Sequence, residues 1–432
     1  MKVGRQHHNN LIASMVTDRV AGATHPGINV CSMATPLLSI GVLICAFSAP
    51  ASAQSLTEDI ASMVSGGTTR IAMRYRFEDV EQDNALDNAT ASTLRTRLTF
   101  QSAVVNKFSV AIEVDNILTI GPDDYDSFAL DKYRGNHSVI ADPVGTEINV
   151  ATVKYALSDT SSASIGRQRY NHLTQRFLGS VGFRQNEQTM DSFSYNRVSG
   201  NVTVDYSYLW NVNRVFKGSK KSAQITDYDS NSHALLISGR ESWGTLSGFI
   251  YALDFDNALT ASSISYGLYY TGVFGAFTLN VSYAAQSDYG DNPISYDTDY
   301  LLLEGSTKVG AVTLLAGYEV LGSDSGRIGF ATPLATLHRY QGFADMFLAT
   351  PANGIEDFYL TASAPVGKAN LSVTYHDYGA EETSADYGSE INVVAGYIVN
   401  PRLNFEAKFA TYDSDGFAVD TDKLWLTVNL AF

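Results

Sequence analysis

The sequence predicts an all-β protein, a transmembrane antiparallel up-and-down β-barrel of eighteen strands. Three observations carry that prediction. Apolar and polar residues alternate in a long procession of segments, the connections are brief at one end and longer at the other, and the last segment closes on Phe432. The eighteen segments start near residues 69, 93, 107, 147, 160, 189, 201, 231, 244, 260, 275, 296, 311, 355, 368, 387, 402 and 422.

The alternation is cleanest at the C-terminus. Leu424, Leu426, Val428, Leu430 and Phe432 fall on one face and Trp425, Thr427, Asn429 and Ala431 on the other, because successive strand side chains point to opposite sides. Phe277, Leu279, Val281 and Tyr283 repeat the pattern against Thr278, Asn280 and Ser282, as do Leu371, Val373 and Tyr375 against Asn370, Ser372 and Thr374. A soluble sandwich would cover its second face with Lys and Glu; here that face is largely Ser, Thr, Asn and Ala.

The links are brief at Val104-Val105-Asn106, Ser158-Asp159, Ser199-Gly200, Ser242-Trp243, Phe274-Gly275, Gly310, Gly367 and Asn400-Pro401. They are mostly longer near 79–92, 119–146, 168–188, 213–230, 256–259, 287–295, 322–354, 379–386 and 413–421. Short periplasmic turns and long outer loops are the outer-membrane barrel pattern, which places both chain ends on the periplasmic side. Closure also removes the sheet edges that lipid could not solvate. Tyr269, Tyr270, Tyr375, Tyr378 and Tyr412, near strand ends, are expected in the interfacial girdles. Phe432 looks like the terminal aromatic read by the outer-membrane insertion machinery.

Residues 1–53 read as an export signal with an extended start, Met15 and Met33 being alternative initiators. An apolar stretch from Leu37 to Phe47 precedes Ala51-Ser52-Ala53, a small-x-small cleavage pattern, so the mature chain is expected to begin at Gln54. Both cysteines, Cys31 and Cys45, lie upstream of the cut. A thiol-free mature chain suits an oxidising periplasm. Residues 54–68 form a short periplasmic segment, too small for a plug, and 69–432 form the barrel.

If the apolar parity meets lipid, the other parity lines the lumen. Ile71, Met73, Tyr75 and Phe77 then place Arg70, Arg74, Arg76 and Glu78 inside; Leu94, Leu98 and Phe100 do the same for Arg95 and Arg97. Glu113 and Asp115 face inward from the third strand. Arg at mid-bilayer on the lipid face would cost about 2–4 kcal/mol, so the wet side is the cheaper assignment. Charge is uneven: from Arg70 to Lys221 there are 18 Lys plus Arg against 17 acids, and from Ser222 onward 8 against 25. Two readings follow and can coexist. Arg rings select anions in pores, or an Arg–carboxylate network with Glu78, Glu113, Asp115 and Asp205 stiffens the barrel. The acidic outer loops either bridge cations to lipopolysaccharide or are simply solvated.

Two loops are unlike the rest. The first, Gly166-Arg167-Gln168-Arg169 through Arg176 to Arg184-Gln185-Asn186-Glu187-Gln188, is basic and amide-rich, and is expected to bulge at Gly166 and fold inward. With Arg214 beyond it, Arg167, Arg169 and Arg184 join the expected lumen set. The second runs from Phe330 through Thr332, Pro333, His338 and Arg339 to Asp345 and Phe347. It is too apolar for a freely solvated loop and is expected to pack partly against the barrel interior or mouth as a constriction; surface recognition of another protein is the rival reading.

Several of these stretches resemble the alginate-export family of outer-membrane proteins: Arg74-Tyr75-Arg76-Phe77-Glu78, Ser92-Thr93-Leu94-Arg95-Thr96-Arg97-Leu98, Gly166-Arg167-Gln168, Arg184-Gln185-Asn186-Glu187-Gln188-Thr189, Asn213-Arg214 and the run from Thr332 to Asp345. The resemblance implies an eighteen-stranded monomeric barrel passing an acidic oligo- or polysaccharide, alginate-like, or related anions through a basic lumen. A general small-solute porin is the alternative. A barrel enzyme would need an arranged nucleophile and base, and His137, His172, His233, His338 and His376 are scattered without one. An adhesin would carry larger outer loops. No metal-ligand spacing, cofactor loop or nucleic-acid patch appears, so neither cofactor nor nucleic acid is expected.

Overall fold

The computed structural model describes residues 53–128, 135–216 and 224–432. The expected export signal, all but its last residue, lies outside the described residues, with both cysteines. Alternating segments become strands β1 (Thr68–Gln82), β2 (Ala89–Gln101), β3 (Phe108–Asp124), β4 (Gly145–Ser158), β5 (Ser161–Gln168) and β6 (Thr189–Ser199). They continue as β7 (Val202–Asn213), β8 (Asp227–Glu241), β9 (Gly244–Leu253), β10 (Ser263–Phe274), β11 (Phe277–Asp288) and β12 (Asp297–Val309). The last six are β13 (Val312–Leu321), β14 (Ile355–Val366), β15 (Ala369–Gly379), β16 (Asp386–Asn400), β17 (Leu403–Ser414) and β18 (Thr421–Ala431).

Each strand pairs antiparallel with its sequence neighbours, and β1 closes the ring on β18 with Arg74 opposite Asn429. The result is the expected closed 18-stranded barrel. Outward residues such as Leu268, Leu303 and Phe358 are exposed, the inverse of a water-soluble protein, because this surface meets lipid. Brief links on one rim are built on left-handed glycines, Gly310 and Gly367 each at φ 63°, a conformation that side chains resist.

The girdle assignment needs correction at three tyrosines. Tyr378 and Tyr412 are fully buried and Tyr269 packs against the same inner cluster; only Tyr270 and Tyr375 keep the outward parity. The interior can take these rings because two loops enter it. Loop L3 (169–188) and loop L7 (322–354) fold into the barrel and bury Phe177, Leu178, Phe330, Leu334 and Phe347 against inward side chains. Residues 53–65 form a helix, α1 (Ala53–Ser65), which takes up most of the short segment ahead of the first strand.

Candidate pore constriction

Strands β1 and β2 present a row of arginines to the lumen, flanked by Glu113 and Asp115 of β3, and the second half of L3 lies against this wall carbonyl side first. Arg74 Nη1 donates to the carbonyls of Gly182 (3.0 Å) and Phe183 (3.2 Å), and Arg76 Nη1 donates to Phe183 O at 2.7 Å. Arg95 Nη1 reaches Gln185 O at 3.3 Å. Loop carbonyls removed from water need donors, and the guanidinium offers five.

Arg97 is the first ionic hub. It binds Asp115 through Nε (2.8 Å) and Nη2 (2.6 Å), Glu113 at 3.0 Å and Glu187 of L3 at 2.9 Å. Arg169 joins Glu113 and Glu187 to the same cluster. Burial opposes ionisation of Glu187, but Arg97, Arg169 and Arg95 outweigh it and hold its carboxyl at about 2. The second hub is Arg184, which contacts both oxygens of Glu78 at 3.0 Å, Asp345 of L7 at 3.3 Å and Asp142 at 3.9 Å. Lys423 completes the cluster on Asp345 at 3.1 Å.

On the far wall the polarity reverses, and L7 presents its donors. Glu390 Oε1 accepts from the backbone N–H of Phe343 (2.6 Å) and Ala344 (2.9 Å). Glu319 pairs with Arg176 of L3 at 2.9 Å and accepts from Tyr300 and Gln341. Gln286 both donates to and accepts from Ala331, each at 2.7 Å. Phe347 sits among the rings of Tyr378, Tyr412 and Phe417.

The two loops also bind each other. Leu178 and Leu334 form a parallel bridge, Gly179 N donates to Leu334 O at 2.8 Å, and Thr336 N donates to Gln175 O at 3.0 Å. A Cβ on Gly179 would stand 2.3 Å from Thr336 Oγ1, so only glycine admits this approach. Contacts therefore run from the β1–β3 wall through L3 and L7 to β16.

Of the residues expected to line the pore, the structure brings together Arg74, Arg76, Arg95, Arg97, Arg169, Arg184, Glu78, Glu113 and Asp115, with His338 and Asp345 from L7. Thr332 and Pro333 are half-buried in L7, and Arg339 is exposed. Four residues fall elsewhere. Arg70 is exposed at the start of β1. Arg167 stays in unbroken register with Ala151 and Asp191, on the same outward parity as Ile165 and Phe193, and its guanidinium binds Asp191 at 2.7 and 3.0 Å. The expected parity conflict at Gly166 is thus resolved by an ion pair on the outer side, and the chain turns inward only after Gln168. Arg214 stacks on Phe216 and Tyr228 at the base of its loop, and Asp205 pairs with Asn196 rather than an arginine.

Asp142, Glu319, Glu390, Lys408 and Lys423 were missed. The two lysines carried a legible signal: both have inward parity in an otherwise acidic half of the chain. Among the described residues no cluster of three or more His, Cys, Asp or Glu is arranged to hold a metal ion.

His338 gives the constriction a pH dependence. Its ring stacks on Phe183 at 3.5 Å, its Nδ1 faces Asp345 Oδ1 at 2.8 Å, and its Nε2 has no protein partner. Burial lowers its pKa to about 4 against the opposing pull of Asp345, with Lys408 and Arg184 adding to the lowering. An imidazole harder to protonate when docked stabilises docking above its ordinary pKa near 6.5, and that stabilisation is lost as pH falls through about 4. Single-channel recordings should therefore grow noisier between pH 6.5 and 4, and His338→Gln should remove that dependence; a native trace steady across the window would uncouple His338 from the loop.

No family model matches this sequence, and no curated protein is detectably similar to it. Solved structures do share its fold. OccK3 (OpdO) of Pseudomonas aeruginosa superposes with a TM-score of 0.65 at 14% identity, covering 87% of this chain and 98% of that one. The outer membrane protein opdK of the same organism gives 0.65 at 15%, over 86% and 99%. Acinetobacter baumannii OccAB4 gives 0.64 at 14%, over 85% and 98%. This likeness establishes the barrel, and with its apolar belt places the chain in the outer membrane; it lends nothing specific to the alginate-export resemblance.

Proposed function

We propose that the chain is a passive outer-membrane channel for small polar solutes, with L3 and L7 together setting what passes. One observation carries this reading: two loops are docked inside a closed barrel and tied to opposite walls by buried charges. Such a plug of fixed loops suits small solutes better than a threading polymer. The Arg–carboxylate contacts favour the structural-network alternative over an open arginine ring.

A preference for anions has its own support. Among the described residues, Arg74 binds carbonyls and Asn429 rather than a carboxylate, and Lys408 lies over the rings of Phe183 and Phe343 at 4.7 and 4.5 Å with no carboxylate within ion-pair distance. These charges remain to attract an anion, an acidic oligosaccharide being the second reading. Planar-bilayer recording of purified protein tests both. Conductance with anion preference is expected, and Arg74→Gln with Lys408→Gln should reduce the preference while heat-modifiable migration shows that the barrel is still folded. Cation selectivity would reject the anion reading, absence of block by alginate oligomers would reject the oligosaccharide one, and absence of conductance would reject the channel.

A further inference from the structure

We infer that α1 is a membrane-surface anchor whose apolar stripe inserts into the phospholipid leaflet facing the periplasm. Leu56, Ile60 and Val64 recur every four residues and so share one helix face, and they are 45%, 51% and 58% exposed. The helix cannot rotate that stripe onto the barrel, because an adjoining face is already held. Asp59 Oδ2 accepts from Asn106 Nδ2 at 2.9 Å, and Met63 O accepts from Ala103 N at 3.0 Å. Both partners belong to the brief β2–β3 link on the short-turn rim.

The stripe continues the lipid-facing surface. After α1 the chain enters β1 beneath the outward ring of Phe100, which stands 2.6 Å from where a Cβ on Gly67 would lie. At this rim the outward residues are apolar around the barrel, with Val104, Val273 and Ile398 at 67%, 69% and 70% exposure. Three large aliphatic side chains at the same rim, facing water, would be an unexplained apolar patch; facing lipid, they extend the belt. The only charged residues of the helix are Glu58 and Asp59, so apolar insertion rather than attraction to anionic headgroups holds it. Such helices sink their apolar face roughly 5–10 Å into the headgroup–acyl boundary.

The test uses barrel purified from outer membranes and reconstituted in phosphatidylethanolamine–phosphatidylglycerol vesicles. Single cysteines replace Leu56, Ile60, Val64 or, on the polar face, Glu58, and carry an environment-sensitive fluorophore; heat-modifiable migration reports that each barrel is folded. A spin label on the upper acyl chain should quench positions 56, 60 and 64 about threefold more strongly than position 58, with aqueous iodide showing the reverse order. Equal quenching at all four positions would overturn the inference. So would protection of the stripe from both quenchers, which would mark a protein partner, either a second barrel or a periplasmic protein.

Discussion

Excising residues 331–346 from L7 and bridging the ends with a short Gly-Ser link is expected to raise single-channel conductance about threefold or more, because pore width at the constriction sets flux. The excised stretch contains the hydrogen bonds that carry L7 across the lumen, although Phe347 keeps its packing on Tyr378, Tyr412 and Phe417. Ala331 on Gln286, Leu334 on Gly179, Gln341 on Glu319, and Phe343 and Ala344 on Glu390 would all be lost. The wall does not depend on them, since each strand remains hydrogen-bonded to two neighbours. The variant should therefore still migrate as a folded, heat-modifiable barrel. L3 would lose its lateral support at Leu178, so discrimination between solutes should fall along with resistance. Unchanged conductance in a folded variant would show that the conduction path bypasses L7, and the constriction would have to be sought along L3 and the basic wall alone.

Most of the barrel was legible because lipid on one side and water on the other impose a period of two on every strand. All eighteen segments were found, the largest misplacements being four residues at β2, which begins at Ala89, and at β8, which begins at Asp227. Irregular pairing explains both. A register shift between Ala91 and Thr93 breaks the parity of β2, and another between Leu209 and Asn211 disturbs the partner of β8. Inward tyrosines were misread for a different reason. An aromatic at a strand end suits a headgroup girdle, but Tyr378 and Tyr412 also suit an interior that already contains Phe347, and alternation alone cannot reveal a loop folded inside. The apolar character of 330–347 did reveal that this loop avoids solvent. What it binds was hidden, because the contacts are remote: Arg184 and Glu78 are 106 residues apart, Arg97 and Glu187 are 90 apart, and Lys423 and Asp345 are 78 apart. Arg167 shows the converse error, a charge assumed to face water that is instead neutralised by a cross-strand partner.

Arg184→Ala should release L3 from the wall while leaving the barrel closed. The guanidinium serves three buried carboxylates, Glu78, Asp142 and Asp345, the last shared with Lys423 and His338. Removing one partner of a buried ion pair strands the others, at a cost of about 3–5 kcal/mol. The strand ladders bear little of that cost, so it should appear as local opening rather than global unfolding. Each 1.4 kcal/mol is about tenfold in the opening equilibrium, and amide exchange at Gly179, Gln185 and Gln188, all hydrogen-bonded in the docked loop, should accelerate about a hundredfold or more. Strand amides should keep their protection. Pairing Arg184→Met with Glu78→Gln strands one carboxylate fewer and should recover part of the loss, as expected if unpaired charge rather than lost packing is responsible. Unaltered exchange in the single variant would mean that Phe177 and Leu178 hold L3 by packing alone, and that the charges crowded at this constriction are free to serve the solute.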